Sequence, residues 1–469
     1  MKPTPLSLIA EACSGELNSQ AHATARANAT GFFVDSRTVA PGQVFVAIPG
    51  ERVDGHSYAA SAVREGAVAA LVNQEIAGIP CIVVQDTVVA LGQIARWYRQ
   101  EVVQATVVGV TGSSGKTTTK DLIADVLEGF GHDHVVAARG SFNTEVGVPL
   151  TILEADEETR FLVLEMGMRG LGHIAYLADI AQPDIGVVLN VGSAHVGMMA
   201  GPGDIAVAKG ELVEALSGTG YALLNADDPQ VTAMASRTHA RVVRFGTDDF
   251  ADVSGSNIHL DASGRPSFDL TVEGGDTQSV ALNLHGEHFV ESALAAAAVG
   301  YVCGVESAKI AQQLSNAHPR SPWRMEVTTT DNGVTVISDV YNANPESMRA
   351  ALKALCSMAG SGRTWAVLGE MRELGEVSRD QHDAIGRLAV RLDISRLVCV
   401  GEATKVMHLA ASNEGSWGEE SAWVPDIDAA IALLDAQVRP GDIVLVKASR
   451  SVGLEAIADH LLGQNRRSA

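Results

Sequence analysis

The chain has 469 residues, 46 of them glycine, and a formal net charge of −22. That length exceeds one ordinary core and predicts about three domains, while the acidity excludes a general nucleic-acid binder and a protein that lies on anionic membranes, since both need a basic face. Cys13, Cys81, Cys303, Cys356 and Cys399 are scattered and form no CxxC pair, so they are expected to be reduced packing residues. The N-terminal "MKPTPLSLIAEACSGEL" lacks a long apolar core, and "ALAAAAVGYVCGV" is too short to span a bilayer; a cytoplasmic protein with no signal peptide and no membrane insertion is expected.

In chain order, strand-like pieces such as "QVFVAI" and "AVAALV" alternate with a helical stretch near Tyr58 to Glu65, predicting a small α/β unit over 1–105. From 106 to 325 the short apolar runs "FLVLE", "IGVVLN" and "YALLN" alternate with helical patterns. Such alternation predicts a largely parallel sheet with function at the carboxyl ends of its strands. Between about 241 and 284 the texture changes to alternating apolar positions among Gly, Asp, Ser and Thr, read as a β-rich insertion or edge. Beyond "SPWRME", where Pro322 discourages helix, "TVISD", "TWAVLG", "RLVCVG" and "DIVLVKASR" alternate with helices again over 326–469. The expected fold is therefore α/β in three domains: a small N-terminal unit, a central ATPase-type parallel sheet and a C-terminal Rossmann-like unit.

The stretch "VVGVTGSSGKTTTKDLIADVLEGFG" carries the strongest chemical signal. Val107, Val108 and Val110 predict a buried strand, and Leu122, Ile123, Val126, Leu127 and Phe130 recur at helical spacing. Between them, Gly112-Ser113-Ser114-Gly115-Lys116-Thr117-Thr118 predicts a phosphate-binding loop, although Val110 stands where a strict Walker pattern has glycine. Backbone amides and the positive helix end would cradle a polyphosphate, Lys116 would reach its terminal phosphates and Thr117 would hold Mg²⁺. Glu165 ends "FLVLE", His195 follows "IGVVLN", and Lys209 sits among Ala206, Val207, Ala208 and Gly210. A hard cation suits the oxygens of Thr117 and Glu165 better than the imidazole of His195. Lys209, if desolvated, would have a lowered pKa and a nucleophilic amine.

Together "DSRTVAPGQVFVAIPGERVDGHSY", "VTGSSGKTTTK", "GSFNTEVGVPLT", "LEMGMRGLGHI", "NVGSAHVG", "AVAKGEL", "SPWRMEV", "DVYNANPESMRAAL" and "GEMRELGEVSRDQH" resemble the Mur ligases, ATP-dependent amide-forming enzymes of peptidoglycan precursor synthesis. The resemblance covers nearly the whole chain with motif order kept. It implies the short loop TGxxGKT, which accounts for Val110, and two Mg²⁺ ions held by Thr117, Glu165, His195 and Lys209, the last as a carbamate. It further implies that Asp35, Ser36, Arg37, Gly55 and His56 receive the uridine end of the substrate, which would make 1–105 a UDP-substrate-binding domain. Asn143 and Thr144 would face the muramoyl-peptide, Arg324, Asp339 and Asn342 the nucleotide, and Lys447, Ser449 and Arg450 the incoming amine.

Within the family, "YNANP" and "GEMRELGE" look like the strings of the enzymes that join D-alanyl-D-alanine to UDP-N-acetylmuramoyl-tripeptide through an acyl phosphate; a monomer is expected. Alternatives are another Mur-type amino-acid ligase, whose DNPR acceptor string is absent here, or a non-catalytic nucleotide-sugar-binding relative. One departure stands out. Where the family has GxHNxxN near the adenine, this chain has Gly286-Glu-His288-Phe289-Val-Glu-Ser292, so stacking by Phe289 is expected to replace a carboxamide.

Overall fold

The computed structural model describes residues 1–24, 26–50, 53–131, 134–192, 202–248, 250–360, 362–415 and 420–463. Its sheets follow the chain in blocks. In the first, Cys81–Val83, Ala69–Val72, Val44–Val46 and Phe32–Phe33 run parallel, with Glu16–Leu17 added antiparallel at one edge. A separate two-stranded ribbon, Thr4–Pro5 with Asn28–Ala29, has no counterpart in the sequence reading, because two-residue strands carry no detectable alternation. The helix His56–Arg64 covers most of the stretch near Tyr58 to Glu65 where the pattern placed one, beginning two residues earlier.

The second sheet has nine strands and holds the site. Its seven-strand parallel part runs from Val253–Leu260 through Arg241–Gly246, Tyr221–Asn225, Ile185–Val188, Thr106–Thr111 and Phe161–Glu165 to Val135–Ala137. The β-rich stretch is an antiparallel extension of this sheet, Val253–Leu260 pairing with Pro266–Val272 and that strand with Gln278–Ala281. From Thr106–Thr111 the chain builds first toward Phe161–Glu165 and then toward Ile185–Val188 on the other side. The crevice at the carboxyl end of that central strand is a topological switch point, where open α/β sheets bind ligands. Parallel register sets Glu165 beside Val110, so a carboxylate is carried to the mouth of the phosphate loop by strand pairing alone.

The helix Lys116–Leu127 packs most closely against Phe289–Val302, whose "ALAAAAVG" run is fully buried. Small side chains permit that close approach, and this explains an apolar run too short for a membrane. Among the described residues no helix is long and apolar enough to cross one. The third sheet orders Thr335–Asp339, Ile443–Lys447, Thr364–Leu368, Arg396–Val400 and Ser421–Val424 in parallel, with Glu326–Thr329 antiparallel at the edge. Apolar packing is continuous from Val110 and Leu122 through Phe289 to Met348 and Leu368, so the second and third sheets share a core. Among the described residues no sheet pairs strands across residues 105 or 325, and on that ground we propose 1–105, 106–325 and 326–469 as the domain limits.

Candidate active site

A cleft of about 410 Å³ opens where the second and third sheets face each other, lined by the phosphate loop, the ends of neighbouring strands and the loops of the C-terminal sheet. The loop turns through Gly115 at φ +80°, a left-handed conformation that favours glycine, and the helix starts at Lys116. The amides of Gly115, Lys116, Thr117 and Thr118 have no acceptor among the described residues, the usual state of a helix N-terminus and a ready cradle for an anion. Lys116 Nζ folds back to donate to the Gly112 carbonyl at 2.8 Å. Desolvation in the cleft lowers its pKa, Glu165 pulls it back, and Arg324 lowers it further.

Thr117 Oγ1 donates to Glu165 Oε2 at 2.7 Å, and Asn143 Nδ2 donates to Oε1 of the same carboxylate, also at 2.7 Å. Three of the expected residues thus form one oxygen-rich cluster at the loop. Thr144 instead reaches toward the amides of Val146 and Gly147, at 3.4 Å each, near the start of the helix Gly147–Ile152, while its side chain still borders the cleft. Among the described residues no three His, Cys, Asp or Glu side chains gather as a metal cage. A carboxylate, a hydroxyl and incoming phosphate oxygens suit Mg²⁺, which seldom has a dedicated all-protein cage. His195 lies outside the described residues.

Lys209 is 1% exposed, inside the helix Pro202–Glu214. Burial takes its pKa well below that of an ordinary lysine, and the nearby charge of Lys116 lowers it further. An apolar helix face thus holds an amine that resists protonation.

Arg324 enters from the segment linking the two sheets. Both of its neighbours, Trp323 at φ +61° and Met325 at φ +50°, adopt left-handed backbone that costs non-glycine residues about 1 kcal/mol or more each, strain typical of functional segments. Its guanidinium lies 4.3 Å from the Tyr341 ring centre, and its Nε is buried with no hydrogen-bond partner. An orphaned buried donor beside free amides is what a polyphosphate would satisfy.

The C-terminal wall differs from the expectation at Lys447. This residue is 1% exposed, and its ammonium bonds Asp339 Oδ2 at 2.6 Å and the Asn342 carbonyl at 2.9 Å, so it is neither solvated surface charge nor aimed at an incoming amine. Strand register explains why: Asp339 and Lys447 are direct partners at the carboxyl ends of adjacent parallel strands. Asp339 Oδ1 also accepts the Met325 amide at 3.3 Å, so both oxygens of its carboxylate have partners within the protein. Ser449 Oγ accepts from the Arg372 amide at 2.9 Å, tying "GEMRELGE" to the last strand. Arg450 pairs with Glu455 and sits 4.4 Å from the Trp323 ring centre. Asn344, N-cap of Pro345–Ser357 through a capping box with Ser347, donates from Nδ2 to the Ser113 carbonyl at 3.2 Å and so joins the two domains at the phosphate loop.

The uridine-end residues are not brought into this cleft. Arg37 and Asp35 form an exposed ion pair at 2.7 Å, and His56 is held by Asp54 at 2.7 Å and by the Asn73 amide at 3.1 Å. Phe289 does line the cleft, but it is 5% exposed with its ring 4.1 Å from that of His288, because it opens the helix packed against the phosphate-loop helix. Little of its face remains for a purine.

Two cleft residues escaped the sequence reading. Asn190 Oδ1 accepts from the amides of Ser113 and Ser114, each at 3.0 Å, and Asn190 Nδ2 donates to Glu291 Oε1 at 2.8 Å. Asn190 follows an apolar strand just as Glu165 ends one, and that position was the available signal. Burial pushes the Glu291 carboxyl up to about 7, Asn190 lowers it, and Asp227 and Asp228 add to the rise.

Three stretches match Mur ligase domain families: residues 29–125 the Mur ligase family catalytic domain, 110–300 the Mur ligase middle domain, and 323–450 the Mur ligase glutamate ligase domain. The chain is 47% identical over 472 residues to a UDP-N-acetylmuramoyl-tripeptide--D-alanyl-D-alanine ligase of Mycobacterium tuberculosis (strain ATCC 25618 / H37Rv), covering 92% of each. It is 34% identical over 426 residues to the ligase of the same name from Escherichia coli (strain K12), covering 90% of this chain and 91% of that one. Among solved structures it is similar to MurF from Acinetobacter baumannii (TM-score 0.88, 29% identity, 99% of this chain and 100% of that one). It is also similar to the MurF ligase from Thermotoga maritima in complex with ADP (TM-score 0.79, 29% identity, 92% and 97%). With its motifs in order and relatives matched along nearly their whole length, the chain belongs to the Mur ligase family.

Proposed function

We propose that this protein is an ATP-dependent ligase that joins D-alanyl-D-alanine to UDP-N-acetylmuramoyl-tripeptide, giving the pentapeptide precursor of peptidoglycan, and that it works in the cytoplasm as a monomer. The observation that carries this reading is the convergence in one cleft of Lys116, four acceptor-less amides and the orphaned Arg324 Nε, beside the Thr117–Glu165–Asn143 cluster. The names of the relatives supply the acceptor.

In this reading the loop amides, Lys116 and Arg324 hold the triphosphate of ATP, and Asn143 and Thr144 present the tripeptide's terminal carboxylate to the γ-phosphate. Attack gives an acyl phosphate and ADP. The amine of the dipeptide then attacks the acyl carbon, a proton is lost and phosphate leaves. Lys116 and Arg324 would neutralise charge on the transferred group. Thr117 and Glu165, with His195, would hold two Mg²⁺ ions, whose chemistry is to stabilise the phosphate charges. Facing domains that exclude water would protect the acyl phosphate.

Lys209 is assigned as a carbamate. A neutral amine adds CO₂ and releases a proton, and the product replaces a buried uncharged amine near Lys116 with an anion offering two oxygens to a cation. Asp35, Ser36, Arg37, Gly55 and His56 would take the uridine end outside the cleft. Asp339 and Asn342 border the nucleotide as a loop that Lys447 holds in place, and Ser449 and Arg450 frame the acceptor side. The test is an acceptor screen with UDP-muramoyl-peptides, following ADP release and product mass. ADP release requiring both tripeptide and D-alanyl-D-alanine is the expected result; release with a free diamino acid and the UDP-muramoyl-dipeptide would reassign the enzyme within the family.

A further inference from the structure

The amides of Ser113 and Ser114 lie at the start of the phosphate loop and both reach Asn190 Oδ1 at 3.0 Å, the Ser113 amide being shared with the Asn190 backbone carbonyl at 3.1 Å. A carboxamide has the same outline either way round. Turned by 180°, Asn190 would set an NH₂ group against two N–H donors and push the loop out of shape. The working orientation is favoured at the other end too, where Nδ2 reaches the Ser114 carbonyl at 3.4 Å and, much more closely, Glu291. Asn190 Nδ2 donates to Glu291 Oε1 at 2.8 Å, and a carboxyl group offers an accepting oxygen there whether or not it carries its proton. Glu291 lies in the first turn of the helix Phe289–Val302, the element packed on the phosphate-loop helix, so the contact spans 101 residues of sequence and is set by the fold. The same loop residue is braced further by Ser113 Oγ, which accepts the Gly192 amide at 2.8 Å.

We propose that Glu291 is a positioning residue for nucleotide binding: by fixing the orientation of the Asn190 carboxamide it holds Ser113 and Ser114 in the conformation that leaves the next four amides free for phosphate. Glu291 touches no reacting atom in this scheme. It acts through Asn190, and the proposal rests on the reading of the cleft as a nucleotide site.

The experiment measures ADP binding by calorimetry and steady-state kinetics on the full chain, with thermal unfolding in the absence of nucleotide as the check on folding. ADP binding by the unaltered protein tests the nucleotide reading itself. Glu291→Met keeps the shape and removes the acceptor; it should weaken ADP binding and raise the KM for ATP roughly tenfold, the size of one lost buried hydrogen bond, with kcat at saturating ATP changed less than about threefold. Glu291→Gln, which keeps a carbonyl acceptor, should restore most of the affinity. Asn190→Ala should reproduce the Glu291→Met defect, and the double variant should be no worse than either, since both remove one connected unit. Equal ADP affinity in Glu291→Met and the unaltered protein, equal losses in the Met and Gln variants, or additive losses in the double variant would overturn the proposal. Should Glu291→Met fail to fold, the comparison of Glu291→Gln with Asn190→Ala decides: similar affinities in those two sink it, and loss in the second alone upholds it.

Discussion

The two walls of the cleft are built on opposite principles. On the phosphate-loop side the donors are left open, with four helix amides and the Arg324 Nε lacking acceptors among the described residues. On the C-terminal side the charges satisfy one another, Lys447 with Asp339, Arg450 with Glu455 and Trp323, Arg372 with Glu370 at 3.1 Å. An open donor set is preorganised for an anion and needs no rearrangement to receive it. A self-paired wall must exchange an internal contact for a ligand contact, which in the proposed function would favour a shaped, specific acceptor over any amine that diffuses in. Substitutions on the first wall should therefore affect chemistry, and those on the second should affect stability and acceptor affinity.

The largest effect is expected from Lys116→Ala. Its partner in the structure is one carbonyl and, in the proposed function, an incoming phosphate, so turnover should fall by several kcal/mol of barrier, on the order of a thousandfold or more, while the unfolding midpoint moves little. A folded Lys116→Ala protein with near-normal turnover would erase the contrast between the walls. Lys209→Ala should come next, nearly inactive and partly rescued by small added carboxylates that occupy the vacated site. Intact-protein mass of the active enzyme should carry the additional CO₂; a free amine in fully active enzyme would end the carbamate assignment.

On the second wall, Lys447→Ala should leave Asp339 buried beside no counter-charge and cost about 3–5 kcal/mol of stability by denaturant titration. Asp339→Asn combined with Lys447→Met should recover part of that loss, because the unpaired charge is gone. The smallest effect is expected from Arg450→Ala, which loosens Trp323 and the acceptor side. It should raise the KM for D-alanyl-D-alanine by roughly tenfold, consistent with loss of a partly exposed cation contact, with a smaller change for ATP. An equal rise in both would place Arg450 on the nucleotide side and blur the comparison.

Local pattern and motif order determined much of this protein. The strand, glycine turn and helix around Gly115 and Lys116 are read from neighbours a few residues apart, since dihedral preference and apolar periodicity are local properties. The family followed from the same strings in order. Only the tertiary structure decided how distant polar groups pair. Lys447 looked available in sequence, yet its strand register against Asp339 buries and neutralises it. Phe289 looked like a stacking ring, yet the close helix pair it opens leaves it almost no exposed face. Asn190 and Glu291 are 101 residues apart, and no periodicity joins them. A hydrogen bond or ion pair depends on where two side chains end in space, and for residues on different strands and helices that is fixed by register and packing.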